Sequence, residues 1–288
     1  MNRTAIVAAF PGEITPLVKS TSGPLRHERH DGIYLWRRRS AGREWAAACA
    51  GAGQQTATRA LAAIEKDGPV SRIVSIGWAG ALTPDFLPGR AYVVSEIIDS
   101  QTGERFSANS VEPEESKLGS PECEKKTSGT SLVSGHDFTA CGKTHHALQE
   151  VSGHDLSRAV EHSEDHGALA PEAIRLVTTP RVANADEKRR LVSAYSASLV
   201  DMEAAAIARL AQMRGIPFYC IKGVSDGFAD HLPDFNRFLS PSGQLLLARL
   251  TLFATFRPWR WPSLIRMGEN SHKASLSIAE SLRSLLEN

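Results

Sequence analysis

The sequence has little of what would send it to a special environment. Its four cysteines, Cys49, Cys123, Cys141 and Cys220, contain no C-x-x-C pair. Spacing therefore gives neither a disulfide framework nor a thiolate metal site, and a reduced cytoplasm suits the thiols. Charge of one sign is also missing: 33 Lys and Arg stand against 32 Asp and Glu, a net charge of +1. No global field points to nucleic acid. No apolar run is long enough to span a membrane, and the first residues enter an apolar strand without the basic segment and cleavage site of a leader. The composition predicts a cytoplasmic protein.

What is present is apolar residue in periodic runs, 42% of 288 residues. That is enough for one large α/β core, and length does not force a second domain. The runs are organised around Val200-Asp201-Met202-Glu203-Ala204-Ala205-Ala206. Ala197 to Val200 suits a short buried strand, and Ala204, Ile207, Leu210 and Ala211 then recur at helical spacing. Glu203 falls at the helix start, where free N–H groups and the helix dipole favour an anion. Capping by Asp201 and Glu203 would account for both carboxylates by itself. A second apolar run, Pro217 to Val224, ends in Ser225-Asp226-Gly227. Carboxylates at two strand ends suit the ligand crevice of an open α/β sheet, one for sugar hydroxyls and one for proton transfer.

V-D-M-E-A-A-A followed by G-I-P-F-Y-C-I-K-G-V-S-D resembles the signature of the nucleoside phosphorylase superfamily, which includes the methylthioadenosine/S-adenosylhomocysteine nucleosidases. The resemblance covers roughly 4–100 and 172–255. It implies one α/β domain over 1–288, a central mixed β-sheet flanked by helices. It also implies a small-molecule purine nucleoside as substrate, no nucleic acid, and a homodimer. Thr4 to Phe10 is the first predicted strand, and Glu13 follows it at the start of a helix. A first-turn helix carboxylate is the simple explanation of Glu13; in the nucleosidases a glutamate at the matching place activates the attacking water, although Phe10-Pro11-Gly12 departs from the more acidic family run. Gly51-Ala52-Gly53 matches the family's glycine turn near the ribose, which makes Gly53 a substrate-binding candidate. After a strand over Val70–Ile76, Gly77-Trp78-Ala79-Gly80-Ala81 resembles the G-x-A-G-G turn, giving Trp78, Ala79 and Gly80 as further candidates. Phosphorylases commonly place Ser or Thr where Trp78 stands and use the hydroxyl on phosphate. Indole has one donor and no such grip, so either the core or the wall of the base or 5′ pocket would claim Trp78, and water becomes the preferred nucleophile.

The resemblance assigns three catalytic residues. Asp226 protonates or hydrogen-bonds the purine N7, oriented by Ser225; Glu203 binds the ribose hydroxyls above Met202; Glu13 takes a proton from water. This chemistry calls for no metal or organic cofactor. The family reads adenine with a loop at the position of Arg181 to Asn184, before a helix over Asp186–Tyr195. From about 107 to 166 the chain turns to Ser, Glu, Lys, Gly and His, the composition of a long, partly disordered surface insertion. Cys141, His145 and His146 lack the disciplined spacing of a zinc site. After Asp226 a loop carrying His231 leads to an apolar helix with Leu246, Leu250 and Phe253 on one face, and Ala274, Ile278, Leu282 and Leu285 form the stripe of a terminal helix.

Between those helices, in a tail over 256–288, Trp259 and Trp261 alternate with arginines. That pattern suits a peripheral membrane contact, a dimer contact or plain packing. The R-P…P-x-L tail, with Ala-Asp-Glu-Lys-Arg before V-D-M-E, resembles the hopanoid-associated phosphorylase branch, which implies removal of adenine from adenosylhopane. The predicted activity is hydrolysis of the N-glycosidic bond of a 5′-modified adenosine. Phosphate-dependent glycosyl transfer is the close alternative, and a catalytically silent nucleoside-binding or membrane-associated module is the alternative of another class.

Overall fold

The computed structural model describes residues 2–40, 43–110, 173–230 and 232–287. All belong to the unit formed by Met1–Glu114 with Glu172–Asn288, one of two into which the chain divides. Most of the polar insertion, with Cys141, His145 and His146, lies outside the described residues, as does His231.

The fold is built on two apolar strands, β1 (Asn2–Ala8) and β5 (Arg72–Ala81), which pair in parallel. Alternate residues of β1 serve opposite faces: Ala5 and Val7 join one apolar cluster, Ile6 and Ala8 the other. Burial on both faces is why this strand reads as a continuous apolar run. Beyond β1 come β4 (Arg43–Cys49), β3 (Ile33–Ser40) and β2 (Leu25–His30). Beyond β5 come β10 (Leu199–Asp201), β9 (Arg175–Thr178), β7 (Glu96–Asp99) and β8 (Arg105–Ser107). A branch from β5 adds β11 (Phe218–Asp226) and β6 (Ala91–Val94). Parallel and antiparallel pairings mix, as in β5 with β1 and with β10.

Helices cover both faces. On one, α2 (Gln54–Glu65) and α4 (Ala204–Arg214) bury Leu61, Ile64, Ala205 and Ile207. On the other, α1 (Pro11–Ser20) buries Ile14 and Leu17, and α6 (Trp261–Glu287) buries the predicted stripe Ala274, Ile278, Leu282 and Leu285. The helix lies so close to β11 that a Cβ on Gly223 would stand 2.8 Å from Ala274 Cβ and 2.9 Å from Ile278 Cδ1. Among the described residues the remaining α-helices are α3 (Ala185–Tyr195) and α5 (Leu247–Thr255).

Two sequence expectations change, and one strand was not anticipated. The G-W-A-G-A segment is strand, not turn, because β11 and β10 continue to pair with β5 through Gly80 and Ala81. Strand β2 is fully exposed and carries no alternation; pairing with β3 and the stacking of His27 on Trp36 at 4.9 Å hold it. The apolar helix after Asp226 forms as α5, yet none of its residues is buried.

Candidate active site

Glu13, Glu203 and Asp226 are far apart in sequence, and each leaves the sheet beside β5. Glu13 follows β1, Glu203 follows β10, and Asp226 ends β11, all three of which pair with β5. The register between β11 and β5 slips between Val224 and Asp226, so that Asp226 faces Gly80 and Ser225 is the extra residue. Such a bulge re-aims the side chain that follows it.

Glu13 is 2% exposed. Its Oε2 accepts the Ala9 and Phe10 N–H groups at 2.8 and 2.9 Å, and its Oε1 accepts Trp78 N–H at 2.9 Å. The Phe10 bond is the helix-start role expected of a first-turn glutamate; the Trp78 bond ties that helix to the end of β5. Burial pushes the Glu13 carboxyl above its ordinary range, against the pull of these N–H groups and of Lys222. Gly77, at φ +149, leaves the room: a Cβ there would lie 3.1 Å from Glu13 Oε1.

The two carboxylates of V-D-M-E divide their work. Asp201 is the cap, its Oδ2 accepting Ala204 N–H at 2.9 Å, and it pairs at 2.8 Å with the fully buried Lys222. Glu203 makes no cap bond to the helix; it reaches across to accept Gly53 N–H at 2.7 Å and also takes Met202 N–H at 3.3 Å. Gly53, at φ +104, thus joins the first glycine turn to the V-D-M-E corner. Burial first, then the neighbouring Asp201 carboxylate, pushes Glu203 up to about 8, while Lys222 pulls it back. Lys222 feels burial pushing it down, but Asp201 outweighs this and holds the ammonium above its ordinary range.

Asp226 is gripped on both oxygens. Ser225 Oγ donates to Oδ1 at 2.7 Å, and Lys188 Nζ lies 2.5 Å from Oδ2. Beside it opens a cavity of about 400 Å³, walled by the Arg181–Lys188 segment and by the loop through Asn236. The Asn236 carboxamide closes one edge: its Oδ1 accepts Val182 N–H at 2.9 Å and its Nδ2 donates to Val182 O at 3.0 Å. Trp78 points its indole N–H at α6. Its indole Nε1–H donates to Ser271 O and Ser275 Oγ of α6 at 3.0 and 2.9 Å, and its ring stacks on Phe10. Ala79 is buried, and Gly80 lies under the Asp226–Lys188 pair. Among the described residues no group of His, Cys, Asp and Glu is arranged to hold a metal.

Sequence reasoning missed Lys188, Lys222 and Asn236. Lys222 left a signal, a lysine within the otherwise apolar run Pro217 to Val224, where a charge demands a partner. Lys188 left a fainter one: A-D-E-K-R-R reads as a solvated helix start, yet Lys188 stands in phase with Leu191, Val192 and Tyr195.

Comparison with curated proteins gives no match. Among solved structures the chain is similar to a Helicobacter pylori MTAN mutant with 5′-methylthioadenosine in its active site, at 14% identity and TM-score 0.61, covering 100% of this chain and 99% of that one. A 5′-methylthioadenosine/S-adenosylhomocysteine nucleosidase from Neisseria meningitidis in complex with methylthio-immucillin-A matches at 16% identity and TM-score 0.61, covering 100% and 99%. Futalosine hydrolase of Helicobacter pylori matches at 15% identity and TM-score 0.59, covering 99% and 97%. These likenesses concern the fold, whereas the sequence model described as Phosphorylase superfamily matches residues 3–249, and by that match the chain belongs to the phosphorylase superfamily.

Proposed function

We propose that the protein is a nucleosidase that cleaves the N-glycosidic bond of a 5′-modified adenosine with water. What supports this most is the convergence of Glu13, Glu203 and Asp226 beside one strand, two of them buried and one on the cavity wall. Bond cleavage gathers positive charge on the ribose and negative charge on the departing purine. Glu203 suits the ribose hydroxyls, with Met202 beneath the sugar. Glu13 suits the proton lost by the attacking water, since a base raised by burial holds it better. Asp226, oriented by Ser225, answers the purine.

Water is favoured over phosphate by the charges. The cations Lys188 and Lys222 are each paired with a carboxylate, the Trp78 N–H is taken by Glu13, and its indole faces α6. Among the described residues of the site, a phosphate dianion would meet carboxylates and two lysines that carboxylates already neutralise. The relatives' ligands, methylthioadenosine-type nucleosides, set the small-substituent reading. A lipid-linked nucleoside such as adenosylhopane is favoured by a second cavity of about 230 Å³, which shares Pro233 and Asp234 with the first and is lined by Phe238, Phe253 and Trp259. The same corner, with exposed Trp259 and Trp261, suits the surface of a membrane, and no helix among the described residues is long and apolar enough to cross one. The assembly carried by the family resemblance is a homodimer.

The test is adenine release from 5′-methylthioadenosine, S-adenosylhomocysteine and a lipid-tailed adenosine, each with and without phosphate. The expected result is phosphate-independent release, fastest on one of the three, that falls roughly 10²–10⁴-fold in Asp226→Asn. Strict phosphate dependence overturns the choice of water; binding without any turnover favours a silent binding module.

A further inference from the structure

Helix α3 rests Leu191, Val192 and Tyr195 on an apolar cluster and buries one charge beside them. Lys188 is its buried residue, 4% exposed, on a helix whose other residues are exposed or half-buried. Burying an ammonium is costly unless it is paired, and here Nζ lies 2.5 Å from Asp226 Oδ2 and donates to Gly227 O at 2.9 Å. An ammonium has three N–H bonds, so two acceptors leave one over. Both Lys188 and Asp226 line the cavity. Gly80 makes the space below them: a Cβ there would stand 3.1 Å from Asp226 Oδ2 and 3.2 Å from Lys188 Nζ.

The pair therefore offers a ligand one donor beside one acceptor. The N7 edge of adenine offers the complement, an acceptor at N7 beside donors on the 6-amino group. A 6-oxopurine would set its oxygen against the Asp226 carboxylate.

Resting on the glycosidic reading above, we propose that Lys188 is a catalytic residue, the proton donor to N7, and that Asp226 holds it there while accepting from the 6-amino group. As the C1′–N9 bond breaks, its electron pair enters the purine. One Lys188 N–H bond breaks and N7–H forms, leaving a neutral amine on Asp226. Water oxygen bonds to C1′ and its proton passes to Glu13. Glu13 then loses that proton to solvent and Lys188 regains one, which closes the balance.

The experiment uses the full chain and follows base release from 5′-methylthioadenosine and from its 6-oxo counterpart, with Lys188→Met, Lys188→Arg and the unfolding midpoint of each. The wild type is expected to prefer the 6-amino substrate by tenfold or more, the discrimination of a matched donor–acceptor pair. Lys188→Met should lose roughly 10²–10⁴ in kcat with little change in KM, and Lys188→Arg, still a donor, should recover part of it. The proposal is overturned if Lys188→Met keeps its kcat, if kcat falls only as the folded state is lost and arginine restores nothing, or if the 6-oxo substrate is preferred. A wild type that cleaves neither substrate sinks the glycosidic reading itself, and this inference with it.

Discussion

At the scale of the residue, the site is governed by carboxylates taken out of water. Glu203 shows the consequence for stability. Its carboxyl is held up to about 8 in the folded chain, against an ordinary value of 4.5. Below 4.5 both folded and unfolded states carry the proton. Between 4.5 and 8 the unfolded chain has released it and the folded chain has not, so raising the pH favours unfolding. Stability from this group is full at low pH and is lost as pH rises through 8; the loss is a few kcal/mol, at about 1.4 kcal/mol per pH unit. Glu203→Gln removes the proton that is being held. Urea unfolding of wild type and variant at pH 5 and pH 8.5 should show a smaller drop in the variant, and an equal drop in both would rule out the protonated buried form. Asp201 provides the contrast within one motif: two residues away it caps α4, pairs with Lys222 and is spent on structure.

At the scale of the element, α6 lies tight against β11, and Gly223 is what permits it. A side chain there meets Ala274 and Ile278 at less than contact distance, and those atoms belong to a helix pinned by its own buried stripe. Overpacking of this kind costs typically ~1–3 kcal/mol. Gly223→Val should lower the urea midpoint accordingly without any change in the net charge of the site, and a variant as stable as wild type would mean that the helix stands further off. The stripe that makes this contact was legible in the sequence, as were β1, β11 and the strand-to-helix corner at Val200–Ala206, because burial on a fixed face imposes a period on the residues. What pairing alone decides was not legible. Strand β2 is held by its neighbour, the G-W-A-G-A strand by partners on both sides, and the bulge at Ser225 by a register that only the folded sheet has. The site follows the same division. Glu203 and Asp226 stand where apolar runs end, whereas Lys188 shares its helix face with the half-buried Leu191, Val192 and Tyr195, and a lysine at the edge of such a face reads as a charge reaching for solvent until the fold sets Asp226 opposite it.

At the scale of the whole molecule, near-neutrality conceals an uneven distribution of charge. Between Asp234 and Glu269 there is no acidic residue, while Arg237, Arg249, Arg257, Arg260 and Arg266 all fall there. The same stretch exposes Leu247, Leu252, Phe256, Trp259, Trp261 and Ile265. A second copy meeting this face with its own would set arginine against arginine, as a two-fold contact repeats the same patch on both sides. An anionic lipid surface is complementary to both features: indole and aliphatic groups enter the headgroup layer, and each guanidinium near it contributes about 1 kcal/mol, an attraction that salt screens. Sedimentation with lipid vesicles tests this. The chain should pellet with vesicles containing anionic lipid and hardly at all with neutral ones, and high salt should release it. Arg257→Ala with Arg260→Ala should weaken binding on the order of tenfold or more, and Trp259→Ala should weaken it while leaving the salt dependence intact. Vesicles of either kind left unbound, with the same substitutions instead dissociating an oligomer in light scattering, would assign this face to a second copy of the chain.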